Sequence, residues 1–403
     1  MNEQSPHRSL EGVRVVDLSR ALAGPYATMM LADVGADVLK VEPPSGDDSR
    51  GWLPFVPGQG DGDDESPESA YYLSANRGKR SVRLDLKSPE GADRLRALCA
   101  GADVLVENYR PGLLARLGLD PVDLRAANPR LVTLSITGFG AGGPDGHRPG
   151  FDQIVQAEAG LMGLTGPADG EATRVGLPIS DLLAGMFGAF GVMSALHERE
   201  RTGAGRAVET SLLAAVTAVH AFQGAGWLSA GAEPRRTGNR HPSIAPYGTF
   251  RCADAALVIA VGSEALWRRF APLVGIDPAR PDVATNRERV AGVDALQAEI
   301  DALLADRKAD VVLAELVAAG VPAGRIRSIP EVYAWEQVRH LGLIHTLGHP
   351  SLGEVSVPGG ALRYDGATAA AEVAPPLLGE HDNLDWEAPW LDQARAEHTE
   401  GVR

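Results

Sequence analysis

The chain has 403 residues, 44% of them hydrophobic and 23% charged, with a formal net charge of −15. That is enough apolar sequence for one large domain or two moderate ones, and the acidic balance argues against nucleic-acid or membrane-surface binding, which wants a basic face. Two cysteines, Cys99 and Cys252, match no disulfide framework or metal spacing and fit a reducing, cytoplasmic location.

Met1 to Gly12 is polar and lacks the apolar core of a signal peptide. Val13 to Leu18 then reads as a strand, Gly24 to Val34 as a helix stopped by Gly35, and Ala36 to Glu42 as a second strand. Ser81 to Leu86 alternates as a strand does. Ser88-Pro89-Glu90 predicts a helix start, with Ser88 as N-cap and Pro89 at the first helical position. Ala102 to Glu107 and Arg130 to Ile136 read as further strands. Repeated βα units of this kind predict an α/β fold with a Rossmann-like, doubly wound parallel sheet. The apolar run Leu182 to Leu196, 15 residues long, is shorter than a spanning helix needs and predicts a buried helix. Gly224 to Pro246, rich in Gly, Pro, Arg and His, reads as a long loop. Beyond it, a strand at Leu257 to Val261 and helices at Glu264–Leu273, Val293–Ala305 and Asp310–Ala319 suggest a smaller α/β domain. The expected division is 1–224, 225–330 and 331–403, the last returning to the large domain.

Common catalytic signatures are missing from the sequence: no Walker A loop, no His-Glu-x-x-His, no Gly-x-Ser-x-Gly. The run Gly138-Phe139-Gly140-Ala141-Gly142-Gly143 lacks dinucleotide spacing and sits at a late βα turn. Asp181 stands out because it directly precedes the apolar helix, where the helix dipole and free N–H groups would keep a carboxylate ionised and hold an oxyanion nearby. On sequence physics alone, simple capping is the commoner reason for an Asp there. Two basic clusters, Asn76 to Arg80 and Asn108 to Gly112, flank strands. Arg110 and Arg116 follow a strand's carboxyl end, where open α/β sheets bind ligands, although solvated surface charge is the usual fate of Arg. The spacing of the ten histidines suggests no metal.

Taken together, these segments resemble the class III CoA-transferase family, of the CaiB/BaiF type. The resemblance is carried by Leu10 to Leu18, Ala23-Gly24-Pro25, Leu31 to Val38, Asn76 to Ser81, Ala102 to Gly112, Ile136 to Gly140 and Asp181 to Gly205. It implies an acyl-accepting aspartate at Asp181. It also implies coenzyme A contacts at Leu22 and Ala23, at Leu84, Asp85, Leu86 and Lys87, at Asn108, Tyr109 and Arg110, at Arg116, and at Thr137, Gly138 and Gly140. Acyl-CoA and a carboxylic acid are the implied substrates, with no tightly bound cofactor and no metal. The implied assembly is a homodimer of two interlocked rings. Pro43 departs from relatives that carry a CoA-contacting Arg there. A glycine-rich loop typical of formyl-CoA transferase is missing around Ala255 to Glu264, so oxalate is not the expected acceptor. Racemases of the family use a Gly-His-Asp segment, which here reads Gly150-Phe151-Asp152. Phe151 exchanges no proton, which ranks a 2-methylacyl-CoA racemase below a transferase. A non-catalytic CoA-binding protein and a dinucleotide oxidoreductase are the remaining alternatives. Gly238 to Tyr247, Asp47 to Trp52, Tyr71 to Ser74 and Pro375 to Gly379 resemble transferases that act between dicarboxylic acids, including succinyl-CoA:glutarate CoA-transferase. Arg50, Arg240 and His241 are the candidates for a second, non-reacting carboxylate.

Overall fold

A computed structural model describes residues 8–58 and 67–383. The chain divides into two compact units. The first takes Met1–Leu161, Val175–Ala232 and Glu336–Arg403; the second takes Met162–Arg174 and Glu233–Trp335. Residues 384–403 of the expected C-terminal return lie outside the described residues.

In the first unit, six strands form one parallel sheet: β1 Arg14–Asp17, β2 Asp37–Glu42, β3 Lys79–Arg83, β4 Val104–Glu107, β5 Val132–Thr137 and β6 Ala207–Ser211. Their spatial order is β3-β2-β1-β4-β5-β6, all neighbours parallel. The order reverses between β1 and β4, which is where a doubly wound sheet opens a crevice at its carboxyl edge. Strand residues alternate between two cores. Val15, Val104, Val106, Val132, Leu134 and Ile136 face α1 (Ala23–Asp33) and α4 (Ile179–Thr202), whereas Val16, Leu39, Val41, Val82 and Leu105 face α2 (Pro89–Gly101) and the short helix Pro121–Ala127. α2 begins as the sequence dictates, with the Ser88 hydroxyl accepting from Gly91 N–H and Pro89 in the first turn. The third strand starts at Lys79 rather than Ser81, because its register against β2 pairs Val38 with Lys79.

α4 begins before Asp181 and runs 24 residues, longer than the apolar run it contains, and by length and composition it is one that can cross a membrane. Ala184, Gly185, Gly188, Ala189, Val192, Ala195 and Leu196 form its buried stripe at helical spacing, packed on α1 and the sheet. Helices α3 (Asp152–Glu158) and α5 (Leu212–Ala218) lie against it. The expected loop from Gly224 is helical at its start: α6 spans Ala221–Ala230 and ends on Gly231 in the left-handed conformation. At the end of the unit, β10 (Ile344–His349) and β11 (Gly353–Pro358) make an antiparallel hairpin.

The second unit is an antiparallel sheet of β7 (Tyr247–Arg251), β8 (Ala256–Ala260) and β9 (Ala323–Arg325), packed with α7 (Glu264–Val274), α8 (Val293–Leu304) and α9 (Ala309–Ala318). The stretch Pro322 to Pro330, which reads as a boundary, instead contributes β9 to this sheet. Met162–Arg174 joins the unit without any compositional signal. Its turn is closed by Thr173 N–H on the Thr165 carbonyl at 2.9 Å, and Arg236 donates to the Gly170 carbonyl at 3.0 Å.

Candidate active site

Asp181 is the third residue of α4, whose N-cap is Pro178, so the carboxylate stands inside the first turn and does not cap it. The capping role falls to Asp152, 29 positions earlier. One Asp152 oxygen accepts from Ser180 N–H at 2.8 Å and the other from Gln156 Nε2 at 2.8 Å. Among the described residues, no donor or cation reaches the Asp181 carboxylate. Burial first, and then the neighbouring Asp152 charge, push its carboxyl up to about 7. This corrects the expectation that the helix terminus keeps Asp181 ionised: the nearest free N–H is spent on Asp152. An unpartnered, partly desolvated carboxylate is a stronger nucleophile once ionised, because nothing must be stripped from it before attack.

A pH dependence follows. If Asp181 is the attacking group, its anion reacts and its acid does not, so kcat/KM for acyl transfer is expected to rise along a limb centred at about 7. Asp152→Asn leaves an oxygen for Ser180 and removes the like charge, so it moves that limb to lower pH. A rate profile measured for both proteins checks this; a limb in the ordinary carboxylate range, or one that Asp152→Asn leaves in place, contradicts it.

Three loops converge on this point. The end of β5 is pinned to the start of α3, since a Cβ on Gly138 would lie 2.5 Å from the Gly150 Cα. That contact brings Thr137–Gly140 beside Asp152. The start of α1 is pinned to α4, since a Cβ on Gly185 would lie 2.6 Å from the Ala23 carbonyl oxygen. Only glycine permits so close an approach of backbones. Tyr71 completes the surroundings: burial, then Asp181, Asp152 and Asp47, push its phenol up to about 12. Trp52 packs edge-on against Tyr71 with ring centroids 4.8 Å apart.

The residues tied to coenzyme A by resemblance all sit at the carboxyl edge of the sheet. Leu22 and Ala23 are buried at the start of α1, Leu84 is buried after β3, and Leu86 is half-buried beside exposed Asp85 and Lys87. Arg110 and Arg116 are exposed after β4 and form no ion pair among the described residues. Tyr109, Arg110, Ser135 and Thr137 line a groove of about 260 Å³. Two of these residues also bond within the chain. Asn108 spends both side-chain groups on the backbone of Arg20, at 2.8 Å each, across the β1–β4 crevice. The Gly140 N–H donates to Thr137 Oγ1 at 3.0 Å.

Of the three candidates for a distal carboxylate, Arg50 lies in the first unit and Arg240 and His241 in the second. Arg50 is occupied: its guanidinium grips both oxygens of Glu42 at 2.8 Å, donates to the Pro376 carbonyl at 3.1 Å and lies 3.7 Å from the Tyr72 ring centroid. No fork remains for a substrate, which corrects that assignment. Arg240 pairs with Asp294, and His241 stacks on Tyr247 at 5.1 Å, both within the second unit. The basic run Asn76 to Arg80 is mostly internal. Arg77 pairs with Asp33 at 2.5 Å, and Lys79 with Asp17 at 3.0 Å. Asp152, Tyr71 and Arg20 went unnoticed as site residues. Arg20, over the Tyr109 ring at 5.3 Å, adds a cation at the crevice mouth.

Comparison with known proteins places this geometry in a family. The family model described as CoA-transferase family III matches residues 10–382. A protein of Mus musculus named succinyl-CoA:glutarate CoA-transferase is 39% identical over 378 residues, covering 93% of this chain and 85% of its own. A protein of Agrobacterium fabrum named succinate–glutarate CoA-transferase is 43% identical over 338 residues, covering 83% and 84%. A solved CaiB/BaiF family protein from Brucella suis superposes with a TM-score of 0.84 at 37% identity, covering 97% of this chain and 99% of that one. With an α/β architecture matched over almost its whole length and a matching family model, the chain belongs to CoA-transferase family III.

Proposed function

We propose that the protein moves coenzyme A from succinyl-CoA to a second dicarboxylic acid, with Asp181 as the covalent carrier. The observation that carries this reading is the Asp181 carboxylate: partly buried, unpartnered, and ringed by backbone turns at the carboxyl edge of the sheet. Its oxygen attacks the thioester carbon, the C–S bond breaks, and the CoA thiolate leaves behind a mixed anhydride. The thiolate then attacks the Asp181 carbonyl and expels succinate, which departs with one former Asp181 oxygen. The product is an Asp181–CoA thioester. The acceptor carboxylate attacks it and the two steps run in reverse. Exposed Lys87, Arg110 and Arg116 serve the CoA phosphates. The names of the relatives supply the substrate class.

The active form is a homodimer, interlocked as the family resemblance implies. Phe187, Phe190, Phe222, Trp227 and Leu228, on α4 and α6 of the first unit, are 40–84% exposed, an apolar surface suited to a second copy. Light scattering is expected to give the mass of two chains.

The substrate test is a CoA-exchange assay with succinyl-CoA and glutarate, malate, itaconate, acetate or oxalate, read by chromatography of the CoA esters. Exchange with the longer dicarboxylates and little with acetate is expected. Exchange with acetate as fast as with glutarate contradicts the dicarboxylate reading; no exchange with any acid contradicts the choice of succinyl-CoA as donor.

A further inference from the structure

The turn between β1 and α1 is held more firmly than a turn needs. Four consecutive backbone groups are each taken by a side chain from β2 or from the segments that follow β2 and β4. Lys40 Nζ donates to the Ser19 carbonyl at 2.8 Å. Asn108 takes both the N–H and the carbonyl of Arg20. Asp47 Oδ1 accepts from the Ala21 N–H at 3.1 Å. Lys40 and Asp47 pair with each other at 2.9 Å, and both side chains are fully buried. Burial alone would raise the Asp47 carboxyl, but Lys40 and the N–H groups of Ser49 and Ala21 bring it down to about 2, so the pair stays ionic through the working range of pH.

What this clip holds is strained. Ala21 has φ of 62°, the left-handed region that an alanine side chain disfavours. Such a residue persists only where its surroundings over-determine it, and these places concentrate at working sites. Two residues on, α1 begins, and the carbonyl of its first residue abuts α4 at Gly185, one turn beyond Asp181. A relaxed Ala21 would swing the first turn of α1 and open that contact.

We propose that Asp47, fixed by Lys40, is a positioning residue for the transfer reaction: it clamps Ala21 in the left-handed conformation and so seats the first turn of α1 against α4 at Gly185, one turn beyond Asp181. This rests on Asp181 being the nucleophile. Ser49, which also bonds Asp47 Oδ1, braces the acceptor from its far side.

The test compares wild type, Asp47→Asn, Ala21→Gly and the double variant in succinyl-CoA exchange, with circular dichroism reporting the fold. Asp47→Asn is expected to lower kcat about 30-fold, with KM for succinyl-CoA held within about threefold, because misplacement costs orientation more than affinity. Glycine adopts a left-handed φ without strain, so the double variant is expected to regain about tenfold. A residue needed only for stability would show no such rescue. If Asp47→Asn does not fold, Asp47→Glu, which keeps the charge toward Lys40 and displaces the acceptor from Ala21, carries the same comparison. Wild-type kcat in a folded Asp47 variant, or a double variant no faster than the single one, overturns the proposal. A wild type that shows no exchange, or an active Asp181→Ala, overturns the nucleophile reading instead, so the two failures are distinct.

Discussion

Asp181→Ala is expected to lower kcat for CoA exchange by about 10⁴-fold or more while binding of acyl-CoA changes little, because the covalent route is lost and no second carboxylate replaces it. Among the described residues, Asp152 is the acid whose charge acts on Asp181, and both its oxygens are engaged, by Ser180 and Gln156. The variant is also expected to be more stable than wild type at alkaline pH. The sign follows from the raised pKa. Between the ordinary carboxylate range and about 7 the folded state keeps a proton that the unfolded chain has lost, so the destabilisation is absent at acid pH, grows as pH rises across that range and is complete once pH passes the folded value. Removing the carboxyl removes that cost, roughly 2 kcal/mol after allowing for water near a partly buried group. Steady-state kinetics and a melt at two pH values check both halves. Activity within tenfold of wild type rules out Asp181 as carrier.

The second large effect concerns the fold. Arg77 and Asp33 form a buried bidentate pair, at 2.8 and 2.5 Å, between the segment before β3 and the end of α1. Arg77 also donates to the Pro358 carbonyl at 2.9 Å, and Asp33 accepts from Ala371 N–H at 3.0 Å. The pair thus ties the N-terminal part of the first unit to its C-terminal return. Arg77→Met leaves Asp33 buried and uncompensated, and is expected to cost about 3–5 kcal/mol. Adding Asp33→Leu removes the stranded charge and recovers part of the loss. Denaturant unfolding of the three proteins measures this. A single variant within about 1 kcal/mol of wild type, on the scale of an exposed ion pair, contradicts the assignment.

The parallel sheet was legible because most of its strands are short runs rich in β-branched residues, the third shows as an alternating segment, and a helix with a recognisable start follows it at Ser88-Pro89. Asp181 was legible as a carboxylate at the head of an apolar helix. Its register was not, because the true cap, Asp152, comes from a distant part of the chain. For the same reason the charge state was misjudged: a pKa depends on neighbours that sequence spacing does not reveal. Asn76 to Arg80 read as surface or ligand-binding charge, yet Arg77 and Lys79 find acids 44 and 62 positions away. Arg50 misled in the same way, since Glu42 takes its fork. α6 was read as loop from its glycines; among its residues none is buried, so no apolar stripe marked it.

The most direct test of the covalent route follows oxygen. On the proposed route, each turnover expels one Asp181 oxygen with the donor acid and replaces it with one from the acceptor. The enzyme is incubated with succinyl-CoA and glutarate labelled with ¹⁸O in its carboxylates, then digested, and the peptides that contain Asp181 and Asp152 are weighed by mass spectrometry. The account predicts ¹⁸O in the Asp181 carboxyl and none in Asp152. Full turnover with an unlabelled Asp181 would contradict it and point to direct exchange between the bound substrates.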